Sequence, residues 1–322
     1  MNYAKNILDV IGNTPLVRLN NLTKNIKPTI LAKLECLNPG GSMKDRIGIA
    51  MIEDAERTGL LKKGGTIVEP TSGNTGAALA LVAAVKGYKT IFTMPEKIAH
   101  EKELVLKAYG AKVVRTPNAE PNDPNHYINV AKKITKETRN AYMPNQYHNR
   151  VNALAHYQTT GPEIWRDTKG KITHLVSTVG TGGTVTGTAK YLKEQNPKIK
   201  VIGADADGSL LHHYFYKTKG VAHPYKVEGP GEDFMPGALD FSVIDEMIVV
   251  SDKQSFITSR ELVKKEGIFA GGSSGMAVYA TLKIARNLPK DKVMVTILPD
   301  SGRGYISKFY DDDWMQEFGF LD

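Results

Sequence analysis

Short apolar runs alternate with longer stretches of helical period along most of this chain. Runs at 29–34, 66–69, 90–94, 112–115, 174–179 and 200–204 have the length and β-branched content of strands. Between them, 46–58, 76–86, 100–109 and 185–195 carry helical spacing, and the first three stop at Gly59, Gly87 and Gly110. Strand–helix alternation of this kind predicts βαβ units and parallel sheets. The run 293–298, Val-Met-Val-Thr-Ile-Leu, is apolar almost throughout, which predicts a strand covered on both faces. Two stretches break the pattern. One is the polar loop 117–125 with its three prolines, the other the irregular segment 208–237, and either has the character of a lid. A domain change is expected near residue 150. The fold class expected is α/β, in two domains of mostly parallel, twisted sheet flanked by helices.

Composition narrows the class. The 322 residues are 41% hydrophobic and 24% charged, and no apolar run is long enough to span a bilayer. The first residues show no secretory apolar core, so a cytoplasmic location is the expectation. The single cysteine, Cys36, excludes an intramolecular disulfide and a cysteine zinc site, and reads as a small buried hydrophobe in a strand-like stretch. A net charge of +8 invites a nucleic-acid reading, but the basic residues are spread out and no nucleic-acid-binding signature is present. The adjacent His212 and His213 point two ways on any regular element, and no metal site is expected.

Candidate chemistry starts at Asn38-Pro39-Gly40-Gly41-Ser42-Met43-Lys44-Asp45-Arg46. Two glycines lead into a helix that Ser42 is placed to cap. Lys44 then falls in the first turn, where the helix dipole disfavours a cation by roughly 0.3–1 kcal/mol. An amine held there away from water is suited to Schiff-base or general-base work. Two glycine-rich strand-to-helix junctions follow, Glu69-Pro70-Thr71-Ser72-Gly73-Asn74-Thr75-Gly76 and Val179-Gly180-Thr181-Gly182-Gly183-Thr184. Small residues there let backbone N–H groups approach an anion, and the hydroxyls add donors. The second junction also has the outline of a degraded dinucleotide fingerprint, with Asp205 as the would-be ribose ligand. That keeps a Rossmann-type dinucleotide binder, or a catalytically silent regulatory partner, open as a different-class alternative.

Together with Gly271-Gly272-Ser273-Ser274-Gly275, these motifs resemble the pyridoxal-phosphate enzymes of the cysteine synthase and cystathionine β-synthase family (fold type II). The resemblance runs from Ile11-Gly12-Asn13-Thr14-Pro15-Leu16 to Asp300-Ser301. Val227-Glu228-Gly229-Pro230-Gly231, Met94-Pro95-Glu96-Lys97 and the stretch around Lys308 are more similar to the β-synthases. The segment 156–165 is more similar to cysteine synthase, and Glu232 stands where the β-synthases carry a tyrosine.

The resemblance implies pyridoxal 5'-phosphate in a cleft between a smaller, mobile domain (41–150) and a larger one (1–40 with 151–322). Lys44 would hold the cofactor and act as general base. Gly180, Thr181, Gly182, Gly183 and Thr184 would cradle its phosphate, Asn74 would meet its ring hydroxyl, and Ser273 its pyridine nitrogen. Thr71, Ser72, Asn74, Thr75 and Gln146, with Gly231, would hold the amino-acid substrate. Glu228 and Lys308 would serve the leaving group or the thiol. A neutral serine at the ring nitrogen weakens the electron sink and so favours loss of a β-leaving group over transamination. The expected activity is β-replacement on L-serine, or an activated serine, with homocysteine to give cystathionine. The alternatives are cysteine synthase, using O-acetylserine and sulfide, and sulfide formation from cysteine. A homodimer is implied. Neither a haem-binding leader nor paired regulatory modules are expected.

Overall fold

The computed structural model describes residues 1–322 except Asn2, Ser72, Lys97, Ala99, Pro121 and Asp322, and except the side chain of Glu101. In chain order the elements begin with β1 (Leu16–Arg18), β2 (Thr29–Leu34), α1 (Lys44–Arg57), β3 (Thr66–Pro70), α2 (Asn74–Lys86), β4 (Lys89–Pro95), α3 (His100–Ala108) and β5 (Lys112–Thr116). Next come α4 (Tyr127–Glu137), β6 (Ala141–Tyr142), α5 (Val151–Gln158), α6 (Thr160–Asp167), β7 (His174–Thr178), α7 (Gly183–Gln195), β8 (Lys200–Ala206) and α8 (Leu211–Tyr216). The last are β9 (Glu246–Val250), α9 (Asp252–Glu261), α10 (Gly272–Ala285), β10 (Val293–Leu298) and α11 (Asp312–Glu317). The chain is α/β, and it divides into two compact units: residues 1–11 with 38–152, and residues 12–37 with 153–322.

The first unit is built on a four-stranded parallel sheet in the order β5-β4-β3-β6. Helix α1 buries Gly48, Met51, Ile52 and Ala55, the i, i+3, i+4, i+7 spacing of one helical face. Gly48 sits against Ala78 of α2, close enough that a Cβ there would lie 3.0 Å from the Ala78 Cβ. Helix α2 is apolar nearly all round and buried along 78–83, as such a helix must be. It ends at Gly87, whose φ of +76° places it in the left-handed region that closes helices.

The second unit carries a six-stranded sheet in the order β1-β2-β10-β7-β8-β9, parallel except for β1 against β2. Alternate residues of its central strands feed two separate apolar clusters. Met294 and Leu298 of β10, Val176 of β7 and Ile202 and Ala204 of β8 enter one. Val295, Ile297, Leu175 and Val201 enter the other. That is the two-faced cover expected of apolar parallel strands. The fully buried Lys33 donates from Nζ to the Thr14 carbonyl and to Glu163 Oε2, each at 2.6 Å. The Asn13 N–H donates to Glu163 Oε1 at 2.9 Å. The Gly12-Asn13-Thr14 motif is thus anchored on a buried ion pair.

Two local expectations change. Cys36 lies in a single 3₁₀ turn after β2 and is only half-buried; burial, with Asp300 nearby, raises its thiol pKa. The segment 208–237 is not irregular throughout, since α8 occupies 211–216. No described helix is long and apolar enough to cross a membrane.

Candidate active site

In the first unit, β3 is the strand at which the sheet order reverses. The chain proceeds from it to β4 on one side, while β6 is added later on the other. Ligands of open α/β sheets bind beyond the carboxyl end of such a strand. The segment leaving β3 there enters α2 through Gly73, which has no side chain to cap the helix. The Thr71 hydroxyl oxygen accepts from the Gly76 N–H at 3.2 Å, which leaves its own hydrogen to donate. The Thr75 hydroxyl donates to Gln146 Oε1 at 2.7 Å, so the Gln146 amide nitrogen keeps both hydrogens clear of that bond. Thr71, Thr75 and Gln146 are buried, and Asn74 is half-buried as the first residue of α2. Ser72 lies outside the described residues.

The 145–146 turn is held by a residue that sequence reasoning did not single out. Glu69, 1% exposed near the end of β3, accepts from the N–H of Asn145 at 2.9 Å and of Gln146 at 3.1 Å. Burial pushes its carboxyl up to about 7, against the pull of those two amides. The signal available in the sequence was an acidic residue in an otherwise apolar strand.

Lys44 is the first residue of α1 and is half-buried. By backbone geometry Met43, not Ser42, is the cap residue, and its side chain makes no cap bond. The Ser42 hydroxyl instead accepts from the Lys44 N–H at 3.2 Å. Asp45 shapes the approach to Lys44: its Oδ2 accepts from the Gly40 N–H at 2.5 Å. A Cβ at Gly40 would lie 2.4 Å from Asp45 Oδ1, so a larger residue there would displace the Asp45 carboxylate.

In the second unit the corresponding strand is β7, flanked by β8 and β10. The segment leaving it enters α7 through Gly182, at φ +84° and with no side-chain cap. Thr181 and Thr184 are buried at this helix start. An uncapped helix N-terminus flanked by buried hydroxyls is a donor set that fits a phosphate. The Thr184 hydroxyl lies 3.0 Å from Nε2 of the buried His156, whose Nδ1 is 2.8 Å from the Thr160 hydroxyl. Gly180 and Gly182 are required by packing. A Cβ at Gly180 would stand 2.1 Å from the Gly229 carbonyl oxygen, and one at Gly182 would stand 2.3 Å from the Leu239 Cβ. The Gly231 N–H donates to the Val179 carbonyl at 2.8 Å, so residues 229–231 lie along the phosphate-type loop.

Ser273 is buried in the first turn of α10. That helix start is fixed by the Gly271 N–H, which donates to the Asp300 carbonyl at 3.1 Å, and by the Tyr305 hydroxyl, which donates to Asp300 Oδ2 at 2.7 Å. Lys308 donates to Glu228 Oε1 at 2.5 Å, which pairs the two charged candidates. The Glu232 N–H donates to the Ser209 hydroxyl at 3.0 Å. Asp205 is fully buried and accepts from the N–H groups of Ala206 and His212 at 2.9 and 2.8 Å. Burial raises its carboxyl to about 6. A carboxylate so engaged is not presented to a ribose, and the dinucleotide reading loses its ligand group.

Comparison with known proteins agrees with this geometry. A profile of the family described as "Pyridoxal-phosphate dependent enzyme" matches residues 7–300. The chain belongs to this family, and its cofactor is pyridoxal phosphate. It is 51% identical over 318 residues to a cystathionine beta-synthase of Apis mellifera, covering 98% of this chain and 63% of that enzyme. The chain therefore spans less than two thirds of that relative's length. It is 44% identical to a cysteine synthase of Staphylococcus aureus, covering 94% of this chain and 95% of that one. A crystal structure of a hydrogen sulfide-producing enzyme from Fusobacterium nucleatum superposes with a TM-score of 0.88 at 38% identity, covering 94% of this chain and 98% of that chain.

Proposed function

We propose that this protein catalyses β-replacement on L-serine with homocysteine, giving cystathionine and water. The observation that carries the reading is the 51% identity to a cystathionine beta-synthase across 98% of this chain. Bound pyridoxal phosphate supplies the sink for the electron pair left when a substrate Cα proton is removed.

The chain's own residues do the rest. Lys44 would hold the cofactor through its amine and would serve as general base for the Cα proton. Gly180 to Thr184 bind the phosphate with backbone N–H groups and two hydroxyls. Ser273 meets the ring nitrogen as a neutral hydroxyl and does not hold a proton there as a carboxylate would. That tunes the site toward losing a β-substituent. Asn74 meets the ring hydroxyl. Thr71, Ser72, Asn74, Thr75 and Gln146, with Gly231, receive the substrate, mainly its carboxylate. The Glu228–Lys308 pair serves the departing hydroxyl or the entering thiol. The protein works as a cytoplasmic homodimer.

A second reading is favoured by the near-complete coverage of the Staphylococcus aureus and Fusobacterium nucleatum proteins. On that reading the donors are O-acetylserine with sulfide, or cysteine with release of sulfide. The deciding experiment is a rate matrix of serine, O-acetylserine and cysteine against homocysteine and sulfide. Turnover of serine with homocysteine supports the first reading, and turnover confined to O-acetylserine with sulfide, or to cysteine, replaces it. Within the first reading, Glu228→Gln is expected to slow serine about 100-fold more than O-acetylserine, because hydroxide needs a proton to depart and acetate needs less help.

A further inference from the structure

Gln146 is held at three points. Its N–H donates to Glu69 Oε1 at 3.1 Å, its carbonyl accepts from Asn152 Nδ2 at 2.8 Å, and its Oε1 accepts from the Thr75 hydroxyl at 2.7 Å. With Oε1 committed to Thr75, the direction of the side-chain NH₂ is set by where the backbone of residue 146 lies. That backbone needs holding. Asn145, just before it, has φ +52°, in the left-handed region that a residue with a Cβ enters at a cost. Such a conformation persists only where its surroundings over-determine it.

Glu69 supplies that restraint. Its Oε2 accepts from the Asn145 N–H at 2.9 Å while its Oε1 takes the Gln146 N–H, so two consecutive amides meet the two oxygens of one carboxyl group that is 1% exposed. A side-chain amide has one acceptor oxygen and could satisfy only one of them. The strand that carries Glu69 runs directly on into Thr71, so the end of β3 places Thr71 through the chain and Gln146 through this grip.

We propose that Glu69 is a positioning residue for the amino-acid substrate: by gripping the 145–146 backbone it aims the Gln146 amide hydrogens at the substrate carboxylate. The inference rests on the reading that Gln146 receives that carboxylate, and it adds the residue that fits Gln146 for the task. Loosening the grip lowers affinity for a carboxylate and leaves capture of the cofactor and of the substrate amine intact.

The test follows binding to the purified holoenzyme through the change in the cofactor's visible band. The probes are two amines without a β-leaving group: L-alanine, and L-alaninamide, which lacks the carboxylate. Glu69→Gln keeps the size of the side chain and offers one acceptor oxygen. It is expected to weaken L-alanine about 10-fold, the order of one hydrogen bond to a charged group, and L-alaninamide by less than about three-fold. The dissociation constant of pyridoxal phosphate is expected to stay within about three-fold of wild type. Gln146→Ala is expected to weaken L-alanine at least as much, and adding Glu69→Gln to it is expected to cost nothing further. Should Glu69→Gln not fold, Glu69→Asp, which withdraws the carboxylate by one methylene, carries the same test with the same expected pattern. Equal losses for L-alanine and L-alaninamide, a full further loss in the Gln146→Ala background, or unchanged L-alanine affinity in Glu69→Gln where Gln146→Ala loses it, overturn the positioning role. If Gln146→Ala leaves L-alanine affinity unchanged, the carboxylate assignment of Gln146 fails, and the positioning role fails with it.

Discussion

The segment leaving β3 and the segment leaving β7 stand at equivalent points of their own sheets, each beyond the strand where the order reverses. They are held in different ways. Around the first, polar contacts dominate: Glu69 grips the 145–146 backbone, and Thr75 is tied to Gln146. Around the second, close packing is added to the polar contacts: the Gly229 carbonyl and Leu239 fill the space beside Gly180 and Gly182. A segment shaped by hydrogen bonds can retune its donors with modest backbone change, which suits an amino acid that comes and goes. A segment wedged by backbone contacts is set once, which suits a resident phosphate.

The largest effect that would break this contrast belongs to the packed segment. Gly182→Ala puts a side chain at φ +84° and drives its Cβ to 2.3 Å from the Leu239 Cβ. Strain and overpacking together are expected to cost about 4 kcal/mol, read as a lower denaturant midpoint at unchanged slope. A loss below about 1 kcal/mol would show that this segment yields as readily as the other.

Next comes the buried carboxylate. The Glu69 carboxyl rises from 4.5 to about 7 in the folded protein. A raised value means the folded state holds the proton more tightly than the unfolded one. Its stabilising contribution is complete below pH 4.5 and is lost as the pH climbs to about 7, on the order of 3 kcal/mol in all. Unfolding free energies at pH 5 and pH 8 should therefore differ less in Glu69→Gln than in wild type. An unchanged difference would mean that Glu69 does not titrate in this window.

The smallest effect sharpens the comparison from the other side. Gly73 has a negative φ, and nothing lies within 4 Å of a Cβ built there. Gly73→Ala is expected to alter stability by no more than about 0.5 kcal/mol, measured by the same denaturant titration.

The strands and the four named helices were legible because period and punctuation agreed. Strand 29–34 coincides with β2, and Gly59, Gly87 and Gly110 follow α1, α2 and α3. Helices α1, α2 and α7 begin two residues before their apolar period does, because each starts on polar or glycine residues of a loop motif, at Lys44, Asn74 and Gly183. Period carries no signal for such residues. The pairing of β2 with β10 was not legible from period, since pairing across that separation leaves no local trace. The motif glycines and hydroxyls stood out in the sequence. The residues that fix them did not. Asp45 and Glu69 were not singled out in the sequence. What these residues do depends on burial and on contacts that spacing does not reveal.

The central claim is that Lys44, at the start of α1, carries the pyridoxal phosphate. Borohydride reduction of the purified protein followed by peptide mass spectrometry tests it most directly. The account predicts a single phosphopyridoxyl adduct on Lys44, absent from Lys44→Ala. An adduct on another lysine, or its persistence in Lys44→Ala, would contradict it.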